Sequence, residues 1–348
     1  MVGDMMLGTD YPENRLPDDD AVGFLAAVEP VLSAADLAFG NLEGVLADET
    51  AQPAKACSNP RACYLFRSPL RYAERYLAAG FDGLSLANNH ARDFGEEGRS
   101  SSMQALAALG IAHSGRRGDF ASLRWQGLEI AFMAFAVTRN SNLLHDYELA
   151  VESVAEAALH HDLVIVSFHG GAEGDGSSRT PFAEEEYFGE PRGNVVRFAR
   201  AVVDAGADIV FGHGPHVVRG MEVYRDRLIA YSLGNFATYY GISVSGDKGI
   251  APILEATLDQ HGRFLEGHIH STVQRRPGGP VPDPAQQALA LLKQLSLQDF
   301  RDPGIEFGID GRITPGERRF VRPLPAPPAE PKDGDATGTG VAADSDAQ

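Results

Sequence analysis

Several things are missing from this chain, and each absence removes a class of function. No run of 18 or more apolar residues occurs in its 348 residues, so no segment reads as a membrane-spanning helix. Basic residues are short, with 30 Lys and Arg against 48 Asp and Glu, for a net charge of -18. A nucleic-acid partner wants a basic face and is excluded. Broad contact with any polyanion would need metal ions or a local basic patch. There is no Gly-x-Ser-x-Gly elbow, no Walker A loop and no dinucleotide fingerprint. Cysteine is scarce: Cys57 and Cys63 flank Asn59-Pro60, a turn signal that allows a small closed loop. A disulfide there is expected, and it would place the protein outside the cytoplasm; the alternative is two reduced thiols in a loop. Two cysteines with no nearby histidine do not make a zinc site.

What the chain does have is a set of short apolar runs that end in glycine and a ligand-type side chain. The central one is Ile209-Val210-Phe211, which stops at Gly212-His213-Gly214-Pro215-His216. A second run, Leu228 to Leu233, stops at Gly234-Asn235-Phe236. The same pattern appears in Val2-Gly3-Asp4, Phe39-Gly40-Asn41-Leu42-Glu43, Leu86-Ala87-Asn88-Asn89-His90 and Val166-Ser167-Phe168-His169. Strands that end this way present chemistry at one edge of a sheet in α/β folds.

Between these runs the pattern predicts helices over about 20–33, 69–79, 97–109, 148–159, 194–205 and 284–295. Residues 44–68 read as an irregular excursion. Residues 174–193 read as a long polar loop, a length that often marks function, with Glu184 to Glu186 as a solvated helix turn. Strands are expected at 250–258 and 264–274. On the second of these His268 and His270 share a face, but no Gly-rich strand end accompanies them. From Pro323 onward the composition predicts a disordered tail to residue 348, which leaves one domain over 1–320. The first strand motif begins at residue 2. Further residues upstream are therefore expected in the natural chain, where a signal or anchor would lie.

The strand-end groups Asp4, Asn41, Glu43, Asn89, His90, His169, His213 and His216 mix carboxylate, imidazole and amide oxygen. That mixture suits a divalent transition metal such as Mn²⁺, Zn²⁺ or Fe²⁺, and lacks the all-oxygen set Ca²⁺ prefers. One or two ions could be held. A pair about 3.5–4 Å apart can stabilise in-line displacement at phosphorus. A histidine outside the ligand set can donate to the leaving group.

The motifs Gly3-Asp4-Met5-Met6-Leu7-Gly8, Gly40-Asn41-Leu42-Glu43, Asn88-Asn89-His90, His169-Gly170-Gly171-Ala172-Glu173, Gly212-His213-Gly214-Pro215-His216 and Ser232-Leu233-Gly234-Asn235-Phe236 resemble the CapA family. These are capsule or poly-γ-glutamate biosynthesis proteins with a calcineurin-like metallophosphoesterase fold. The resemblance runs from residue 2 to about 315. It implies a four-layer αββα sandwich with two central sheets. By position it gives Asp4, Asn41, Glu43, Asn89, His169, His213 and His216 as metal ligands and His90 as the catalytic acid. Glu173, Arg192 and Asn235 are candidates for substrate binding.

Three departures bear on this. Metallophosphoesterases of the wider superfamily carry Asp-x-His in the first motif, where this chain has Met6. Their bridging aspartate in the second motif is replaced by Asn41. The family's frequent His-Trp-Gly-x-Glu-Tyr is here His169-Gly170-Gly171-Ala172-Glu173-Gly174, a more open pocket wall. The expectation is a metal-dependent hydrolase of a phosphoester or γ-glutamyl amide bond, acting in extracellular polymer metabolism. The competing expectation is an accessory subunit that binds polymer, or membrane synthase subunits, through a degenerate metal cleft.

Overall fold

A computed structural model describes residues 1–54, 64–174 and 176–316. Residues Met1–Gly316 make one compact unit. Cys57, Cys63 and the expected tail lie outside the described residues. Among the described residues, no helix is long and apolar enough to cross a membrane.

Two sheets carry the molecule. The first has five parallel strands in the order Asn235–Thr238, Asp4–Met6, Phe39–Leu42, Gly83–Ser85, Ala112–Ser114. The second runs Met221–Tyr224, Arg227–Ala230, Ile209–His213, Leu163–His169, Leu128–Ala136, Ala121–Trp125, with Asn142–Leu143 also paired to the Leu128–Ala136 strand. Its four middle strands are parallel and its two edges antiparallel.

Side chains alternate across a strand, and that parity builds the layers. On Leu128–Ala136, Ala131, Met133 and Phe135 pack outward onto the helices Tyr147–His160 and Val195–Ala205, while Ile130 and Phe132 turn to the opposite face. On the five-stranded sheet, Met5, Leu42 and Leu84 face out toward Tyr72, Tyr76 and Leu106 of the segments that cover it. Phe39 faces inward and meets Phe132 at 5.0 Å between ring centroids. The result is helix, sheet, sheet, helix: the four-layer sandwich that the resemblance implies.

The helix Val195–Ala205 shows why such segments fold locally. Asn194 caps it by accepting from Arg197 N at 2.9 Å, and Gly206 closes it at φ 121°. Val195, Phe198, Ala199 and Val202 form one fully buried stripe. Burying each large side chain there stabilises the fold by roughly 1.5–3 kcal/mol. A third sheet, Ile253–Leu258, Phe264–His270, Arg312–Pro315 and Ile305–Phe307, together with the helix Gln287–Asp299, closes one side.

Four expectations need correction. The helix over 20–33 is a succession of turns that becomes α-helical only at Glu29–Leu32. Its bonds run i to i-3, as in Val22 N to Asp19 O and Phe24 N to Ala21 O. Asp20 and Ala21 have positive φ, and Pro30 has no N–H to donate to such a helix. The apolar spacing still buries Phe24, Leu25, Val28 and Leu32. The polar loop 174–193 holds a hairpin, Glu185–Tyr187 with Glu190–Gly193, so Glu185 and Glu186 of the acidic run are strand and not helix turn. The excursion 44–68 contains a parallel pair, Val45–Leu46 with Arg67–Ser68. The strand 264–274 breaks at Ser271 into Phe264–His270 and Thr272–Gln274.

Candidate metal centre

Strand parity decides what lies between the sheets. Met5 faces out, so Asp4 and Met6 face in; Leu42 faces out, so Asn41 faces in. Phe168 and Val210 face the outer helices, so Ser167, His169, Phe211 and His213 face in. Register then sets neighbours: Asp4 lies beside Asn41 and Asn235, and His169 beside His213. The strands end where the two sheets face each other, so four elements deliver polar groups to one buried place.

Asp4, Asn41, Glu43, His169 and His213 are all fully buried there. His169 Nδ1 and His213 Nδ1 are 2.9 Å apart. Asp4 Oδ1 lies 3.4 Å from His213 Nδ1 and 3.9 Å from His169 Nδ1. Glu43 Oε2 is 3.5 Å from His169 Nδ1. Ser167 Oγ contacts His213 Nε2 at 2.9 Å and fixes the ring from behind. Gly214, at φ 115°, leads the chain away; a Cβ there would sit 3.0 Å from Gly170 N and 3.2 Å from His169.

His216 stands at the rim with φ 60°, a conformation uncommon outside glycine and often found at functional sites. Its Nδ1 is 3.0 Å from Asp4 Oδ2 and 2.9 Å from Asn235 Oδ1. Asn235 also donates to the backbone oxygens of His216, Ser243 and Lys248, so its side chain is occupied in holding this turn. Glu173 links the rim to Arg192: His216 Nε2 is 3.8 Å from its Oε2, and Arg192 Nη2 is 3.1 Å from its Oε1. Arg192 is itself buried and donates from Nε to Gly171 O at 2.8 Å.

The electrostatics follow from burial and like charges. Burial raises Asp4, but hydrogen bonds and charge from His213 and His216 overcome it, so its carboxyl lies well below the usual range. Burial, and then the Asp4 charge, push Glu43 well above its usual value. Burial holds His169 well below the histidine range, against the pull of Asp4, so its ring is neutral and able to ligate. Burial would lower His216, yet the Asp4 hydrogen bond and charge, with Glu43 and Glu173 behind, raise it to about 9.

His90 belongs to a neighbouring device. Its Nδ1 is 2.7 Å from Asp93 Oδ2, which also accepts from Phe66 N at 2.8 Å. The ring packs on Phe66 at 4.3 Å between centroids. A carboxylate at Nδ1 sets the tautomer and the orientation of the ring. Asn89 is half-buried at the same strand end. Its neighbour Asn88 reaches into the cluster, donating to Asn41 Oδ1 at 3.0 Å and Leu42 O at 2.8 Å.

Asn88, Asp93, Ser167 and Arg219 have no place among the site residues expected from sequence. Asp93 had a signal in its i+3 spacing from His90. Ser167 had one in sharing a strand face with His169. Arg219 had none: fully buried, it donates from Nη1 and Nη2 to both carboxylate oxygens of Glu185 at 2.9 and 2.7 Å. That pair ties the 185–193 hairpin against the site.

The residues fit a divalent ion. Among the described residues, Asp4, His169 and His213 form the one group of three His, Cys, Asp or Glu whose ligand atoms all lie close enough to surround one. Buried Glu43 Oε1 and His169 Nε2 have no hydrogen-bond partner, and buried polar atoms in native proteins nearly always have one.

Fold and site together define an α/β protein whose two central sheets meet at a buried Asp/His cluster able to hold a metal ion. The chain belongs to the family described as bacterial capsule synthesis protein PGA_cap, whose sequence model matches residues 1–240. It is 28% identical over 350 residues to the PGA biosynthesis protein CapA of Bacillus subtilis (strain 168), covering 90% of this chain and 80% of that one. It is 30% identical over 305 residues to the capsule biosynthesis protein CapA of Bacillus anthracis, covering 81% and 68%. Among solved structures, a 5'-nucleotidase precursor from Thermus thermophilus aligns with a TM-score of 0.40 and 15% identity, over 80% of this chain and 53% of that one.

Proposed function

We propose that this capsule-synthesis family member is a metal-dependent hydrolase that cleaves a phosphoester or γ-glutamyl amide bond of a polymer or small substrate, outside the cytoplasm. The observation that carries the reading is the buried convergence of Asp4, His169 and His213, with Glu43 beside them and two polar atoms unsatisfied. A buried group of charges that is not fully paired destabilises the fold unless an ion or ligand satisfies it. Asp4, His169 and His213 would hold Mn²⁺, Zn²⁺ or Fe²⁺, with Glu43 as a further ligand. When bound, such an ion supplies Lewis-acid polarisation of the phosphoryl or carbonyl oxygen and a more acidic water.

The chain's own residues account for the rest. His90, oriented by Asp93, donates a proton to the leaving group from Nε2. His216 carries positive charge beside Asp4 and offers a donor to the anionic substrate at the rim. Arg192, paired with Glu173, holds the Gly171 turn and so the shape of that rim. Asn235 holds His216 in its left-handed turn. This turns two of the expected substrate-binding groups, Arg192 and Asn235, into positioning residues.

A second reading is favoured by Met6 and Asn41, which remove ligands from the first two motifs. It makes the protein an accessory subunit that binds polymer or membrane synthase subunits through the cleft. The test loads the full chain with Mn²⁺, Zn²⁺ or Fe²⁺ and offers bis(p-nitrophenyl) phosphate and γ-glutamyl-p-nitroanilide. Turnover of either probe that chelator abolishes and metal restores is expected. Bound metal with no turnover of either probe would transfer the assignment to the accessory role.

A further inference from the structure

We infer that the centre takes one divalent ion, not two, because the side-chain NH₂ of Asn41 lies between Asp4 and Glu43, where a second cation would have to bridge them. This rests on the metal-centre reading above and adds the count. Asn41 Nδ2 donates to Asp4 Oδ1 at 2.8 Å and to Glu43 Oε2 at 2.6 Å. Both hydrogens of the amide are thereby used on the two carboxylates.

The orientation of that amide is decided by its neighbours, one after another. Asn88 Oδ1 accepts from the backbone N–H of His90 at 3.0 Å, and Asn88 Nδ2 donates to the backbone oxygen of Leu42 at 2.8 Å. A backbone N–H only donates and a carbonyl only accepts, so Asn88 has one possible orientation. Its Nδ2 also faces Asn41 at 3.0 Å, and the facing atom must be the acceptor Oδ1. Turning Asn41 over would set two NH₂ groups against each other and its carbonyl oxygen against the Asp4 carboxylate. Asn41 thus serves the pair as a neutral donor and does not offer them a ligand oxygen, a departure from its expected role as a metal ligand.

The surrounding wall agrees. The next inward-facing position after Asp4 is Met6, which is buried in an apolar cluster with Phe66 and Ile242. Phe66 in turn covers the ring of His90. A thioether and two hydrocarbon side chains give a second Mn²⁺, Zn²⁺ or Fe²⁺ nothing to bind.

The experiment counts ions on the full chain. Wild type and Asn41→Asp are saturated with Mn²⁺, dialysed to equilibrium and assayed for metal per chain, and the electron paramagnetic resonance spectrum of each is recorded. Wild type is expected to hold one ion with the spectrum of isolated Mn²⁺. Asn41→Asp, which replaces the donor by a third carboxylate, is expected to rise to two ions with an exchange-coupled spectrum. Two coupled ions in wild type would overturn the inference while leaving the metal centre standing. So would a folded Asn41→Asp that stays at one ion. No ion in either protein would instead remove the metal-centre reading itself. If Asn41→Asp does not fold, the wild-type stoichiometry and spectrum alone decide.

Discussion

Among the described residues, two pairs of histidines have their rings in contact, and the pairs differ in burial, in partners and in the layers they join. His169 and His213 sit on neighbouring parallel strands, fully buried, with ring centroids 5.1 Å apart. His268 and His270 sit two apart on one strand of the third sheet, half-buried, with centroids 4.4 Å apart. The second pair is the closer one, yet it gathers no cluster. His270 Nε2 is bonded to Glu255 Oε2 across the antiparallel ladder at 2.8 Å, and that glutamate is 53% exposed. The first pair lies where one sheet's strand ends face another sheet, so Asp4 and Glu43 arrive from the opposite layer. Contact between two imidazoles is therefore a poor sign of a ligand set. Convergence from two layers, with buried polar atoms left unsatisfied, is the informative one.

The sharpest way to break this comparison is to remove one ring from each pair. His213→Ala should weaken Mn²⁺ or Zn²⁺ binding, read by titration calorimetry, by more than about 100-fold. That exceeds the roughly 10–100-fold expected of a group that only orients a ligand. His270→Ala should leave the affinity unchanged. Equal losses from both variants would show that the two pairs are not distinct. A smaller effect is expected at His90, which is joined to the cluster through Asn88 and Asn41 and is not one of the three grouped ligands. His90→Asn should cut turnover of the responsive chromogenic probe by about 10²- to 10⁴-fold, the range of a general acid, with metal content unchanged. Loss of metal in that variant would move His90 into the ligand set.

The contrast also explains what could be read in advance. Strand-end glycines next to Asp4, His169 and His213 carry their signal locally, because the residue type and the period of two are both visible in one short run. The layered fold followed from the same runs through the resemblance they support. Three kinds of fact were not local. The turns at 20–28 hold the apolar spacing of a helix, but Pro30 and the left-handed pair Asp20-Ala21 select i to i-3 bonding. Asn235 read as the end of the Leu228 run, whereas Arg227–Ala230 and Asn235–Thr238 belong to different sheets, with the chain crossing between them. The partner of the Asn41 amide oxygen is Asn88, which comes from a third strand end and is not visible in the Asn41 segment. Partner choice across layers is a property of the assembled sheet and not of any one segment.

The smallest expected effect belongs to the half-buried pair and concerns pH. Burial lowers the His268 pKa, and the neighbouring His270 charge lowers it further, while Glu255 and Asp310 pull it up. A histidine with a folded-state pKa below its unfolded value binds fewer protons when folded. Its contribution to stability is then present above the unfolded pKa of about 6.5 and is lost as pH falls below it. His268→Gln should change stability at neutral pH by only about 0.5 kcal/mol or less, as expected for a site away from core packing and buried networks. It should also flatten the decline in stability below pH 6.5, measured by urea unfolding at a series of pH values. A variant whose pH profile superimposes on wild type would mean that His268 is as freely hydrated in the folded chain as in the unfolded one. A loss of bound metal in the same variant would join the two histidine pairs that the fold keeps apart.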